Sequence, residues 1–231
     1  MGFMSSKGTR RLIAVGAAAM GACFLVGGCG GSGDDLDSPD TAARLQAIHD
    51  LEREDSAEAA QRLTQAVQGQ DAATATEAVW ALGRMQNPTA GAALHDLAAK
   101  SNRQEVRNTA ILALCWQVQR NREDAAQVRG LLRQAAQGDE NATVRATAAG
   151  ALGVVGTLED VDLLVKVASE DTDVRVQSQG VCAIERLMGG VRFGYNSTAP
   201  AADREAVLAR VRELAPRFVQ RATGTRKGGP P

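Results

Sequence analysis

Apolar positions along this chain recur at two nested periods. Within short windows they lie three or four residues apart, as at Val144, Ala148, Ala151, Leu152 and Val155, which line one stripe of a helix at 3.6 residues per turn. Across longer windows a whole motif returns, Val-Arg-x-x-Ala-x-x-Ala-Leu-Gly, clearest from Val144 to Gly153. The copy at Val106-Arg107 keeps Ala110, Ala113 and Leu114, and an earlier one keeps Ala78, Ala81, Leu82 and Gly83 behind Thr74-Ala75. Worn copies flank these: Ala43-Arg44 with Ala47 and Leu51, and Val174-Arg175 with Ser178, Val181 and Cys182. Taking Ala47, Ala78, Ala110, Ala148 and Ser178 as equivalent gives steps of 31, 32, 38 and 30 residues. Self-similarity at this spacing marks a stacked-repeat architecture.

A second helical stripe follows each copy, for example Leu94 with Leu97, and Val128 with Leu131, Leu132 and Ala135. Each unit therefore reads as a helical hairpin. Ser38-Pro39-Asp40 and Thr172 offer caps, while Gly83, Asn87-Pro88, Gly153 and Gly156 read as stops. The expectation is an all-α solenoid of about five hairpins over residues 38–221, with alanine at the crossings so that backbones approach closely. Pro216 should kink or end the last helix, and residues 222–231 read as a loose tail.

Composition supports this class. Of 231 residues 44% are apolar but only 3% aromatic, so the core must be made of Ala, Leu and Val, which suits close-packed helices. The net charge of −1 includes three bases near the N-terminus; without them the chain is acidic, against the balance of a dedicated polyanion binder. Residues 34–77 are strongly acidic, and Arg204, Arg210, Arg212, Arg217 and Arg221 make the C-terminal region basic.

The first 29 residues have the three parts of an export signal: Lys7, Arg10 and Arg11, an uncharged run from Leu12 to Gly28, then Cys29. Leu25-Val26-Gly27-Gly28-Cys29 resembles the lipobox of bacterial lipoproteins. That resemblance implies cleavage after residue 28, lipidation of Cys29 and residence at the cell envelope, with residues 29–37 a flexible tether.

The repeats, with Asp173 before Val174-Arg175 and Asp139-Glu140 before Val144-Arg145, resemble HEAT-like repeats, including the subgroup named after phycobilisome lyases. In that family the arginine pairs with an acid of the neighbouring turn, so Arg107, Arg145 and Arg175 are expected to be structural. Residues 189–202 resemble an insertion found near the end of some bacterial HEAT-like proteins. Its Tyr195 is either part of a terminal cap or a partner contact.

Chemistry is sparse. His49 and His95 lack the spacing that would gather metal ligands, and neither accompanies a nucleophile motif. Cys115 and Cys182 lie two units apart, too far for a disulfide. Trp80 and Trp116 occupy nearly matching places in adjacent units and suit packing between them. No phosphate loop or nucleotide fingerprint is present. The expected function is a non-catalytic, membrane-anchored protein-interaction scaffold without cofactor or metal, with protein partners and with neither nucleic acid nor a small-molecule substrate. The partner surface is expected on the second helices, with Arg129, Arg133 and Lys166 as candidates. The alternatives are a HEAT-like lyase or enzyme-accessory protein, and a self-associating envelope protein.

Overall fold

The computed structural model describes residues 33–69, 71–121 and 123–224. Among these there is no strand, and ten α-helices follow in series: α1 (Thr41–Glu54), α2 (Ala57–Gly69), α3 (Ala72–Arg84), α4 (Pro88–Lys100), α5 (Gln104–Gln119), α6 (Ala125–Gly138), α7 (Ala142–Val155), α8 (Val161–Glu170), α9 (Val174–Leu187) and α10 (Ala201–Ala222). They form five hairpins, an α-solenoid. Gly33–Asp37 is a 3-10 turn that seats Leu36 in the core, so ordered packing begins before residue 38 and the stretch expected to be tether is shortened.

Most starts are fixed by a short polar side chain that takes up backbone N–H groups of the first turn. Asp40, Asp71, Asn87, Asp124, Asn141 and Asp173 all do so. The caps fall one or two residues later than expected: Ser38 Oγ accepts from the Asp40 N–H instead of capping α1, and Asp173, not Thr172, caps α9. Gly83 and Gly153 are not stops. Both lie inside helices at crossings, where a Cβ would stand 2.9 Å from Ala113 Cβ and 2.7 Å from Ala183 Cα respectively; only glycine lets these backbones come so near. The last helix also does not end at Pro216 but continues to Ala222. One missing N–H is outweighed there by the burial of Leu208, Val211 and Ala215 against the stack.

The odd-numbered helices pack on one another in series, α1 to α3 to α5 to α7 to α9, while α4 with α6 and α6 with α8 barely meet. Alanines 78, 110 and 148 are fully buried in that odd layer. Counting from the caps places them identically, seven residues in. The same count from Asp173 lands on Gly180, not Ser178, and buried Val176, Gly180, Ala183 and Ile184 define the seam of α9. The last repeat is therefore misaligned by two residues in the sequence reading, because a Val-Arg pair occurs at the first two positions of α9 instead of the third and fourth.

That register explains the arginines. Arg44, Arg107 and Arg145 each lie four residues after their caps. Each donates to the carbonyl six residues back, in Ser38, Ser101 and Asp139, at 2.8, 2.8 and 2.9 Å. Each also reaches a carboxylate of the next inter-unit turn: Asp71 at 2.8 Å, Asp139 at 2.8 Å and Asp171 at 2.7 Å. Arg107 and Arg145 grip theirs through two guanidinium nitrogens, the geometry that suits a planar fork. Arg175 departs from this pattern. It bonds Asp173, the cap of its own helix, and its side chain is 64% exposed against 7% for Arg107. Gln177 holds the equivalent place: its amide donates to the Asp171 carbonyl at 2.8 Å and accepts from the Tyr195 hydroxyl at 2.6 Å. Where another unit would supply a carboxylate, the insertion supplies a phenol.

Candidate functional site

Helices α5 and α7 are apolar on two faces. One face enters the core; the other leaves Leu112 41% and Val154 49% exposed, which excludes both from the interior. On α5, Leu112, Cys115, Trp116 and Gln119 share one stripe by their spacing of three and four residues. Thr143, Ala146, Thr147, Gly150, Ala151 and Val154 do so on α7. These stripes, with Trp80 from α3 and Arg175, Gln179 and Arg186 from α9, line an open groove of about 660 Å³ across four successive odd helices.

Its floor is mainly apolar, with Gln119, Thr143, Thr147 and Gln179 as its uncharged polar members, and the charges at it are positive. Among the described residues no carboxylate lines the groove. Arg175 and Arg186 stand at the α9 side, and the Arg120 guanidinium lies 4.1 Å from the centre of the Trp116 ring, a cation over an aromatic face. Glu185, beside Arg186 in sequence, is turned away: its carboxylate accepts from the Phe193 N–H at 2.6 Å and pairs with Arg192. Burial pushes the Cys115 thiol up to about 12, so at neutral pH it is a small apolar lining group and not a nucleophile.

The candidates named from sequence fall elsewhere. Arg129 and Arg133 are on α6 and Lys166 on α8, in the even layer. The gaps there are lined by polar groups such as Gln134, Asp139 and Glu140 beside α6, and Lys166, Glu170 and Asp171 beside α8. The Arg133 guanidinium donates to Asp160 at 2.5 Å, and that carboxylate is fully buried; it also accepts from the Thr157 N–H at 2.8 Å. Arg133 is thus committed within the fold. Tyr195 is half-buried and packed on the core, with its hydroxyl on Gln177 and its ionisation pushed up mainly by burial. Both belong to the way the stack is braced.

His95 Nε2 is 3.4 Å from Glu123, and His49 lies beside Glu52. Among the described residues no group of three His, Cys, Asp or Glu side chains could hold a metal ion. Both Cys115 and Cys182 are free thiols. Cys29 lies outside the described residues, as does the segment read as its leader; among the described residues no helix is long and apolar enough to cross a membrane. The matching places of Trp80 and Trp116 suit packing between units and do not by themselves reveal the groove that both line. The signal that could have found it is the pairing of adjacent apolar residues, Ile111 with Leu112 and Val154 with Val155, on helices whose seam already accounts for one of each pair.

Residues 34–115 match the family model for HEAT repeats. The matched stretch covers the first two hairpins and runs into α5, and the same hairpin geometry continues beyond it to α10. No curated protein matches the chain. The coarse reading that stands on these findings is a HEAT-like repeat protein, a kind of fold used as a protein-interaction scaffold.

Proposed function

We propose that this chain is a non-catalytic scaffold that holds a protein partner at the bacterial cell envelope, tethered by a lipid on Cys29. The observation that carries the scaffold reading is the groove on α3, α5, α7 and α9. Large apolar side chains are left in water there by a stack that buries their neighbours completely, and exposed contiguous apolar surface on a rigid frame is the usual mark of a contact site. The odd face serves this role better than the even face, since Arg133 is spent on Asp160 and the gaps beside α6 and α8 are lined by more polar than apolar surface. The tether rests on the lipobox-like residues 25–29 and the basic, then apolar, run before them. Two acyl chains on one residue hold a protein stably at a bilayer surface.

Two measurements test this. A photo-crosslinking side chain at Leu112 or Val154 should yield discrete protein adducts in intact envelopes, identified by mass spectrometry, with fewer from position 131 on α6; equal yields from both faces, or none from the groove, would remove the assignment. Cys29→Ser should lose incorporation of a labelled fatty acid, and continued labelling would end the anchor hypothesis.

A further inference from the structure

The groove is selective, and its chemistry points to the class of ligand. Its ends differ: Trp80, Leu112 and Trp116 offer large apolar contact from α3 and α5, while α9 contributes two arginines and no acid. Arg175 is partly answered by Asp173. Arg186 has no ion-pair partner among the described residues and is exposed. A ligand that buries the apolar end while leaving this charge unanswered forfeits the attraction, and a basic ligand is repelled.

Backbone chemistry narrows the ligand further. The walls are helices whose main-chain groups are already bonded within their own turns, and no strand edge exists among the described residues. An extended peptide would set most of its own N–H and C=O groups against Leu112, Ala146, Ala151 and Val154, with only the separate side chains of Gln119, Thr143, Thr147 and Gln179 to receive a few of them, at a cost for each one left over. A helix satisfies these groups internally and can present side chains alone. Length agrees with this. Four packed helices at 8–10 Å per step extend about 24–30 Å, which at 1.5 Å per residue is spanned by a helix of about 16–20 residues.

We propose that the groove receives an amphipathic helix of a partner protein, with its apolar stripe on Leu112, Trp116 and Val154 and acidic side chains at the end facing Arg186 and Arg175. A second copy of this chain is disfavoured as occupant: a two-fold contact would set the same groove against itself, and neither side would offer a ridge. Nucleic acid is disfavoured because Arg175 and Arg186 are gathered at the α9 side instead of tracking a backbone along the groove. The inference rests on the scaffold reading and deepens it by naming the ligand's fold and charge.

The test uses the full chain and labelled peptides of about eighteen residues, read by fluorescence anisotropy. One is a leucine-striped helix with glutamates on its flanks; the second replaces every glutamate by lysine; the third keeps the acidic composition but carries two central prolines. The acidic helix should bind, with the other two at least about tenfold weaker. Arg186→Glu should weaken the acidic helix about tenfold and shift preference toward the lysine peptide; Leu112→Asp should abolish binding. Both positions are exposed, so unchanged circular dichroism is expected and the losses report binding. Equal affinity for the lysine or proline peptide, insensitivity to Arg186→Glu, or tighter binding of single-stranded oligonucleotide would overturn the proposal. So would a dimer, seen by sedimentation, that Leu112→Asp dissociates. Should crosslinks form from the groove while the acidic helix fails to compete for them, this inference falls and the scaffold reading survives. Absence of crosslinks unseats the scaffold reading itself.

Discussion

At the scale of single residues, the most consequential side chain outside the groove is Asp160. It is fully buried, and among the described residues the Thr157 N–H and the Arg133 guanidinium answer its charge. A carboxylate removed from water costs several kcal/mol unless its partner stays in place. Gly156 supports the arrangement, because any side chain there would collide with the Leu152 carbonyl and the Asp160 carboxylate. Arg133→Ala should therefore destabilise the protein by about 3 kcal/mol, measured as a lower denaturant midpoint. Arg129→Ala, one turn away on the same helix and without a buried acid to serve, should change it by less than about 0.5 kcal/mol. Equal effects from the two would show that the Asp160 pair carries no special weight.

Acid stability follows from two caps. Hydrogen bonds from the Thr74 hydroxyl first, then from backbone N–H groups, hold Asp71 at about 2; hydrogen bonding from Arg175 holds Asp173 at about 2. Their ordinary value is 3.8. A carboxyl with a depressed folded-state pKa binds fewer protons in the native state, so its contribution is complete above the unfolded value and is lost as pH falls through the folded one. Stability should therefore decline between about pH 4 and pH 2. Urea midpoints across that range check it, and the slope should flatten in the Asp71→Asn, Asp173→Asn double variant, which keeps the capping oxygens but removes the titration.

At the scale of helices, the hairpins, their number and the alanine seam were legible in the sequence because the seam is a periodic demand: Ala78, Ala110 and Ala148 recur where backbones cross, and no other side chain is small enough without being glycine. The last register was not legible from dipeptides, since Val174-Arg175 copies the letters of Val144-Arg145 two positions early. It is legible from the cap. Counting four and seven residues from Asp40, Asn141 and Asp173 gives Arg44 and Ala47, Arg145 and Ala148, then Gln177 and Gly180. The groove was harder to see, because the adjacent apolar pairs Ile111-Leu112 and Val154-Val155 mark a second apolar face without saying which residue of each pair the neighbouring helices leave uncovered. The close crossings give a prediction at this scale. Gly153→Val would drive a branched side chain into the Ala183 backbone, and overpacking of this kind costs about 1–3 kcal/mol. Gly130→Val, on α6 where nothing lies within 4 Å of an added Cβ, should be neutral or stabilising by a few tenths of a kcal/mol (about 0.3), since valine is a better helix former than glycine. Thermal unfolding of the two variants should separate them clearly.

At the scale of the whole stack, the end must solve a problem that the middle does not have. α1, α5 and α7 each leave a guanidinium that takes an acid from the next unit, and no further odd helix follows α9 among the described residues. The chain answers by replacing arginine with neutral Gln177, closing it with Tyr195, covering α9 with Phe193 and laying α10 along α8. This is what a terminal repeat requires, since units in such a stack are stable mainly through their neighbours. Stability should accordingly be graded along the chain. A variant ending after Met188 should lose amide-exchange protection most in α8 and α9, less in α6 and α7, and least in α1 to α4, because the lost interfaces act on adjacent units first. Hydrogen exchange read by mass spectrometry resolves these segments. Uniform loss across all ten helices would mean that the stack unfolds as one cooperative block, with the insertion serving the whole and not its end.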